Sequence, residues 1–308
     1  MILRYAHLSR YPTVFKSMTG LTLDEFAGLL ADLLPRYGPA EAARLSRRPR
    51  RRAIGAGNRF ELAARDQFLL VVVWLRQYPT HVVLGYLFAV SPTTVSGTLA
   101  RLLPLLAAAG EATFALPAVG RRSRRGLPEL LADTPELAVI IDSFEQRVQR
   151  PKDRAEADAH YSGKKKQHTL KNQIAIDEQR GKVVDVSDSV VGPTSDLNLL
   201  RQSGLLGRLP PCVGALGDLA YVGMAADHPT GLAATPRRKP RDQPRPLADV
   251  QYNTAFARRR IGVEHSIGRL RRYRCLSDLE REHRRHYRAR VCAVAGLVNR
   301  QIDRRFPC

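Results

Sequence analysis

The chain has 308 residues, 44% hydrophobic and 26% charged, enough for a large packed core with a smaller satellite domain and too apolar for global disorder. Fifty Lys and Arg against 29 Asp and Glu leave a formal charge of +21, a field that favours polyanions, nucleic acid first, because a folded basic surface neutralises phosphates and releases counterions. No apolar run approaches the roughly 18 residues of a membrane span; no apolar segment follows Arg4, His7 and Arg10; and Cys212, Cys275, Cys292 and Cys308 form no C-x-x-C pair, so a cytoplasmic, nucleoid-associated protein with free thiols is expected.

Residues 1–58 predict a helical and basic segment. Thr22, followed by Asp24 and Glu25, starts a helix from Leu21 to Tyr37. Behind it Arg44, Arg47, Arg48, Arg50, Arg51 and Arg52 read either as a solvated linker or as a phosphate-contacting arm.

Residues 59–116 predict three helices. Ala63 to Gln77 is dense in apolar residues around Trp74 and stops at Tyr78-Pro79; Thr80 caps His81 to Ala89; Ser91-Pro92 opens a third helix, Thr93 to about Leu106, that buries Val95, Leu99 and Leu102. Short helix, tight turn, helix is the helix-turn-helix pattern, whose second helix enters a DNA major groove. On that reading Thr93, Thr94, Ser96 and Thr98 face DNA and Arg101 lies near phosphate. A three-helix bundle used for packing or dimerisation has the same spacing. Residues 117–136, with Gly120, Arg121, Arg122, Arg124, Arg125 and Gly126, read as a basic interdomain linker.

Residues 137–308 predict an α/β domain. Leu137 to Asp142 is a buried strand with its carboxylate at the carboxyl end. A hairpin follows, Thr169 to Ile176 and Lys182 to Val186 around Asp177 to Gly181, then a helix from Asp196 to Leu206 capped by Thr194 or Ser195. Cys212 to Asp218 is a second strand ending in aspartate, with glycines for close packing, and Leu232 to Thr235 a weaker third. After the basic, proline-rich loop from Pro236 to Pro246 come an Arg-rich helix, Asn253 to about Tyr273, and a last helix near His283 to Asp303. No internal repeat is present.

Strand, hairpin, helix, strand, strand, helix is the order of a ribonuclease H-like mixed sheet flanked by helices. Its first and fourth strands are neighbours, which brings Asp142 and Asp218 to one sheet edge. Glu264 must come from the helix. At about 100° per residue, Phe256, Val263, Ile267 and Leu270 make one apolar stripe, with Glu264 at its border in line with Arg260 and Arg271, and Gly268 leaving room beside it. Such a helix presents a carboxylate inward and arginines to DNA at one rim. Three carboxylates suit hard cations, and shared carboxylates hold two ions about 4 Å apart, so Mg²⁺ or Mn²⁺, two ions, is the cofactor expected. Lys164, Lys165, Lys166 and His168 precede a strand near Asp142 and read as phosphate contacts or as a solvated hairpin end. Asp196 reads equally as a helix N-terminal acid or as an aid to metal or DNA positioning.

The run Asp142-Ser143-Phe144-Glu145 to Gln149-Arg150-Pro151, and then Tyr161-Ser162-Gly163-Lys164-Lys165-Lys166-Gln167-His168-Thr169-Leu170-Lys171, resembles the core of bacterial insertion-sequence transposases of the DDE superfamily. The likeness continues through Ser195-Asp196, Leu200 to Gly204, Gly217-Asp218 with Tyr221 and Gly223, and Val263 to Leu270. It covers about Phe60 to Arg300, the helix-turn-helix included. Ser143-Phe144, Leu219 and Ala220 depart from it, where Gly-Thr, Lys and Gly are common. The resemblance implies that Asp142, Asp218 and Glu264 bind divalent metal and that the substrate is double-stranded DNA at the terminal inverted repeats of a mobile element. Two ends must be paired, so a homodimer is expected in the active complex. An inactive or domesticated DNA-binding regulator and a repair nuclease on the same fold are the competing classes.

Overall fold

The computed structural model describes residues 3–47, 60–117 and 129–306. The arginines at 48, 50, 51 and 52, the linker from Gly120 to Gly126 and Cys308 lie outside the described residues.

The first half is helical: α1 (Tyr5–Leu8), α2 (Pro12–Thr19), α3 (Leu23–Leu45), α4 (Ala64–Gln77), α5 (His81–Phe88) and α6 (Pro92–Glu111). Thr22 closes a capping box with Glu25, each side chain accepting from the other's backbone N–H. α3 runs past Tyr37 to Leu45, through Pro35 and Pro39. Each proline costs a backbone hydrogen bond, but buried Phe26, Leu29, Leu30 and Leu33 anchor one end of the helix, and the ion pair of Glu41 with Arg101 of α6, at 3.1 Å, anchors the other. α1 and α2 are too short to carry a readable period. Thr80 and Ser91 cap α5 and α6 as anticipated, accepting from the amides of Val83 and Thr94. The chain leaves α4 through Tyr78 in a left-handed turn, φ 49°.

The second half holds β1 (Ala138–Arg147), α7 (Arg154–His160), β2 (Tyr161–Ser162), β3 (Gln167–Asp177), β4 (Val183–Val186), β5 (Val190–Val191), α8 (Asp196–Ser203), α9 (Leu205–Arg208), β6 (Gly214–Leu216), α10 (Met224–Asp227), β7 (Ala233–Ala234), α11 (Leu247–Arg271) and α12 (Tyr287–Arg305). Strands are ordered β2-β3-β1-β6-β7, with β4 and β5 also on β3. β3 runs antiparallel to β1, whereas β6 and β7 run parallel to it. This is the ribonuclease H-like order expected. The helix anticipated from Asp196 to Leu206 is broken by Gly204, whose φ of 62° is left-handed, into α8 and α9. β2, β5 and α7 were not legible in the sequence, being two to seven residues long.

Alternation along β1 sorts the core into two faces. Ala138, Ile140 and Phe144 join α11, α12 and the helical half in one continuous cluster from Leu3 to Ile302, whereas Val139 and Ile141 pack with α8 and α9. The two halves meet where α6 crosses α12. A Cβ on Gly296 would stand 2.2 Å from the Gly110 Cα, and one on Gly110 would stand 2.1 Å from the Cys292 carbonyl oxygen, so only glycine lets the helices touch backbone to backbone. Among the described residues no single helix is long and apolar enough to cross a membrane.

Candidate active site

Two parallel strands set the first pair of acids. Ile140 of β1 pairs with Leu216 of β6, the last rung between them. Asp142 and Asp218 each follow two residues later; Asp218 lies past the end of β6, close enough for its charge to act on the Asp142 carboxyl. β1 does not end at Asp142, as the sequence predicts, but continues to Arg147, because β3 pairs with it from Asp142 opposite Ile174 to Arg147 opposite Thr169. Asp142 thus sits where β6 leaves and the edge of β1 opens. Gly217 permits that departure: a Cβ there would lie 2.7 Å from the Cβ of Tyr221, which folds back beneath the turn. Asp218 steadies the same turn by accepting from the Ala220 amide at 2.8 Å.

Burial pushes the Asp142 carboxyl up to about 6; the Ser143 amide and Arg260 hold it down, while the charges of Asp218 and Asp196 push it further up. The same three aspartates surround the buried Tyr221 phenol, which desolvation and their charges raise above its ordinary range. Arg260 of α11 lies 3.9 Å from Asp142, and its Nε is buried with no hydrogen-bond partner. An arginine expected at DNA is, in this structure, the cation against the first acid.

Glu264 lies one turn beyond Arg260. Val263 and Leu270 are buried as the apolar stripe predicts, Ile267 is partly buried, and Glu264 stays exposed at the border. The helix begins at Leu247, six residues before the predicted start, because Tyr252 and Phe256 already pack into the core. A cavity of about 260 Å³ is lined by Asp142, Asp196, Glu264, Lys164, Lys165 and Arg271. Lys166 shares the exposed turn between β2 and β3 but not that lining, and His168 sets its ring edge-on to Tyr161 at 5.5 Å. Among the described residues no three His, Cys, Asp or Glu side chains stand close enough to enclose an ion. Asp218 is close enough for its charge to act on Asp142, and Glu264 shares the cavity with Asp142, whereas Asp218 is not among its lining residues.

Behind Asp142 runs a network absent from the sequence reading. Lys171, buried on β3 opposite Glu145, donates to the Thr194 carbonyl at 2.6 Å and to Asp196 at 2.9 Å, and stands 4.0 Å from Glu145. Asp196 also accepts from the Ser143 hydroxyl at 2.7 Å. Ser195 caps α8, and the Asp196 carboxylate is held by Lys171 and Ser143. Lys171 stands between Thr169 and Asn172-Gln173 in a strand half made of polar residues, so nothing in the sequence sets it apart.

Residues 141–299 match the family described as DDE superfamily endonuclease, a span that carries Asp142, Asp218 and Glu264. The chain belongs to the DDE superfamily endonucleases. Residues 60–112, α4 to α6, match the helix-turn-helix of DDE superfamily endonuclease. The chain is 28% identical over 246 residues to the probable transposase for insertion sequence element IS702 of Microchaete diplosiphon, covering 80% of this chain and 83% of that protein. No solved structure matches.

In this DDE superfamily endonuclease α5 and α6, within the matched helix-turn-helix span, are the short helix and the longer helix that the sequence singles out. Thr93 and Ser96 are exposed on α6, and Thr94 is half-buried with its hydroxyl 2.9 Å from that of Ser91. Thr98, expected to face DNA, is instead 1% exposed, because it falls on the inward side with Val95 and Leu102. Arg101 is not free at the surface either. It bonds Glu41 at 3.1 Å and Gln67 at 3.0 Å and stacks over Phe60, a consequence of α3 extending far enough to reach α6.

Proposed function

We propose that this DDE superfamily endonuclease is a transposase that cleaves and rejoins DNA at the terminal inverted repeats of its own element, using Asp142, Asp218 and Glu264 to hold Mg²⁺ or Mn²⁺. The observation that carries the reading is that Asp142 and Asp218, each two residues past the paired Ile140 and Leu216, come close enough for the charge of one to act on the other where β6 leaves β1. The residues fit a hard cation: all three donors are carboxylate oxygens, and the half-buried Asp142, crowded by Asp218 and Asp196, has drawn in Arg260 as a positive partner. Asp142 and Asp218 would supply the first ligands, and Glu264 would complete the set once Arg260 moves aside. A bound divalent ion supplies Lewis-acid polarisation of the scissile phosphate and activation of the attacking oxygen.

The chain's own side chains do the rest. Lys164, Lys165 and Arg271, lining the same cavity, hold phosphates beside the bond to be cut. Arg260, released from Asp142, joins them as a charge-assisted donor. Thr93 and Ser96 on the exposed face of α6 contact base edges, Thr94 steadies the first turn of that helix, and His168 and Lys166 extend the phosphate contacts along the β2–β3 turn. Two copies acting together would bring two element ends into one complex. Asp142→Asn, Asp218→Asn and Glu264→Gln are each expected to abolish Mn²⁺-dependent cleavage of a duplex from the ends of the element while duplex binding persists. Undiminished cleavage by any of them removes that residue from the mechanism.

A further inference from the structure

On the side of α11 away from Glu264, about 140° round the helix at Arg269, the carboxyl ends of four helices converge on a second cavity, of about 120 Å³. Lys16 of α2, Arg76 of α4, Arg269 of α11 with Arg272 just past its end, and Arg305 of α12 line it, together with Tyr273. Its lining contains no acid, and among the described residues none of the five cations has a carboxylate in ion-pair reach. Helix carboxyl ends attract cations, but four of them supply only about −2 elementary charges in total. Outside the lining, Glu25 is close enough for its charge to act on Tyr273, which leaves roughly two positive charges uncompensated. Their repulsion is visible at Arg269, whose hold on its proton is weakened by burial and then by Arg305 and Arg272.

The second observation is independent of charge. Tyr273 is 2% exposed, and its hydroxyl has no hydrogen-bond partner. Arg76 lies over its ring at 5.3 Å and spends a guanidinium N–H on the Arg272 carbonyl at 2.7 Å. Gly20 leaves space there: a Cβ at that left-handed residue would stand 2.9 Å from the phenol oxygen. A buried O–H donor without an acceptor, surrounded by cations, lacks one thing, an anionic oxygen.

We propose that this cavity is a binding site for a phosphate-class oxyanion, with Tyr273 donating one hydrogen bond and Arg269, Arg272 and Arg305 supplying charge-assisted ones. Its volume of about 120 Å³ is ample for one phosphate group. Lys16, Arg272 and Arg305 are exposed while Tyr273 is buried, so the anion enters from solvent, either as free phosphate or pyrophosphate or as a backbone phosphate of bound DNA. Occupancy would clamp α2 and α4 of the helical half to α11 and α12 of the catalytic half, at a distance from the acids.

Two titrations of the full chain test this, one with pyrophosphate followed by melting temperature and calorimetry, one with a 30-bp mixed-sequence duplex followed by anisotropy. For a free anion, pyrophosphate raises the wild-type melting temperature and binds at least about tenfold more weakly to Arg272→Ala/Arg305→Ala. For a DNA phosphate, pyrophosphate has no effect, while that variant binds duplex about fivefold or more weakly, with a salt slope lower by about one per lost contact. Tyr273→Phe is expected to weaken the same ligand about three- to tenfold and to leave the ligand-free melting temperature equal or higher. Unchanged binding of both ligands by the arginine variant overturns the proposal. A lower ligand-free melting temperature for Tyr273→Phe overturns the role given to the hydroxyl. Unchanged duplex binding here, alongside cleavage lost in Asp142→Asn, would leave the catalytic reading standing.

Discussion

Asp142→Asn is expected to stabilise the metal-free protein even as it abolishes the chemistry. Burial and the neighbouring aspartates raise the Asp142 carboxyl from 3.8 to about 6 in the folded state. At about 1.4 kcal/mol per tenfold change in proton affinity, the ionised carboxylate costs the fold up to about 3 kcal/mol. The folded value lies above the unfolded one, so this cost is absent below about pH 3.8, grows between there and pH 6, and is complete above. Asparagine keeps the acceptor for the Ser143 amide, a 2.7 Å bond, and removes the charge. Allowing for partial solvent access, the variant should gain on the order of 1–3 kcal/mol at pH 7.5, several degrees of melting temperature, and about a third of that at pH 4.5. Thermal and guanidinium unfolding of both proteins in chelator, at the two pH values, measures it. Added Mn²⁺ should narrow the gap by stabilising the wild type alone. A variant that melts at or below the wild type at pH 7.5, or a gap that does not shrink on acidification, refutes the argument.

Gly296→Leu should separate α6 from α12 and cost more than about 2 kcal/mol in urea unfolding, since even a Cβ would meet the Gly110 Cα at 2.2 Å. Gly28→Ala in α3, with nothing within 4 Å of the added carbon, should gain up to about 1 kcal/mol; equal effects at the two sites would sink the crossing argument. Lys171→Met leaves Glu145 and Asp196 without their buried cation and should cost about 3–5 kcal/mol. Adding Asp196→Asn should recover part of that loss in a double-mutant cycle, and strict additivity would refute the coupling. Arg260→Met removes the cation that holds the Asp142 carboxyl down, so its titration, followed by carboxyl-carbon NMR, should move upward from about 6; a downward movement contradicts the pairing.

Much of the fold was legible in short-range chemistry. The apolar run from Leu137 to Ile141 was a buried strand, Thr22, Thr80 and Ser91 were caps, and the stripe through Val263 and Leu270 placed Glu264 at the edge of a packed face. Those signals are local: a cap needs its next three residues, and a stripe needs only a helical period. Family motifs supplied the three acids, whose separation along the chain exceeds anything periodicity can join.

What the sequence determined by itself was therefore the inventory: a basic chain, a helix-turn-helix, a ribonuclease H-like strand order, and the three acids proposed as its site. Tertiary structure alone decided which partner each charge has. Arg101 went to Glu41, Arg260 to Asp142, and Lys171 to Asp196, because an ion pair depends on distance in space, and residues 60, 118 and 25 positions apart are brought together only when helices and strands pack. The same holds for Thr98, turned inward by the exact roll of α6 against its neighbours, and for Tyr273, whose buried hydroxyl waits for an acceptor that no stretch of sequence announces.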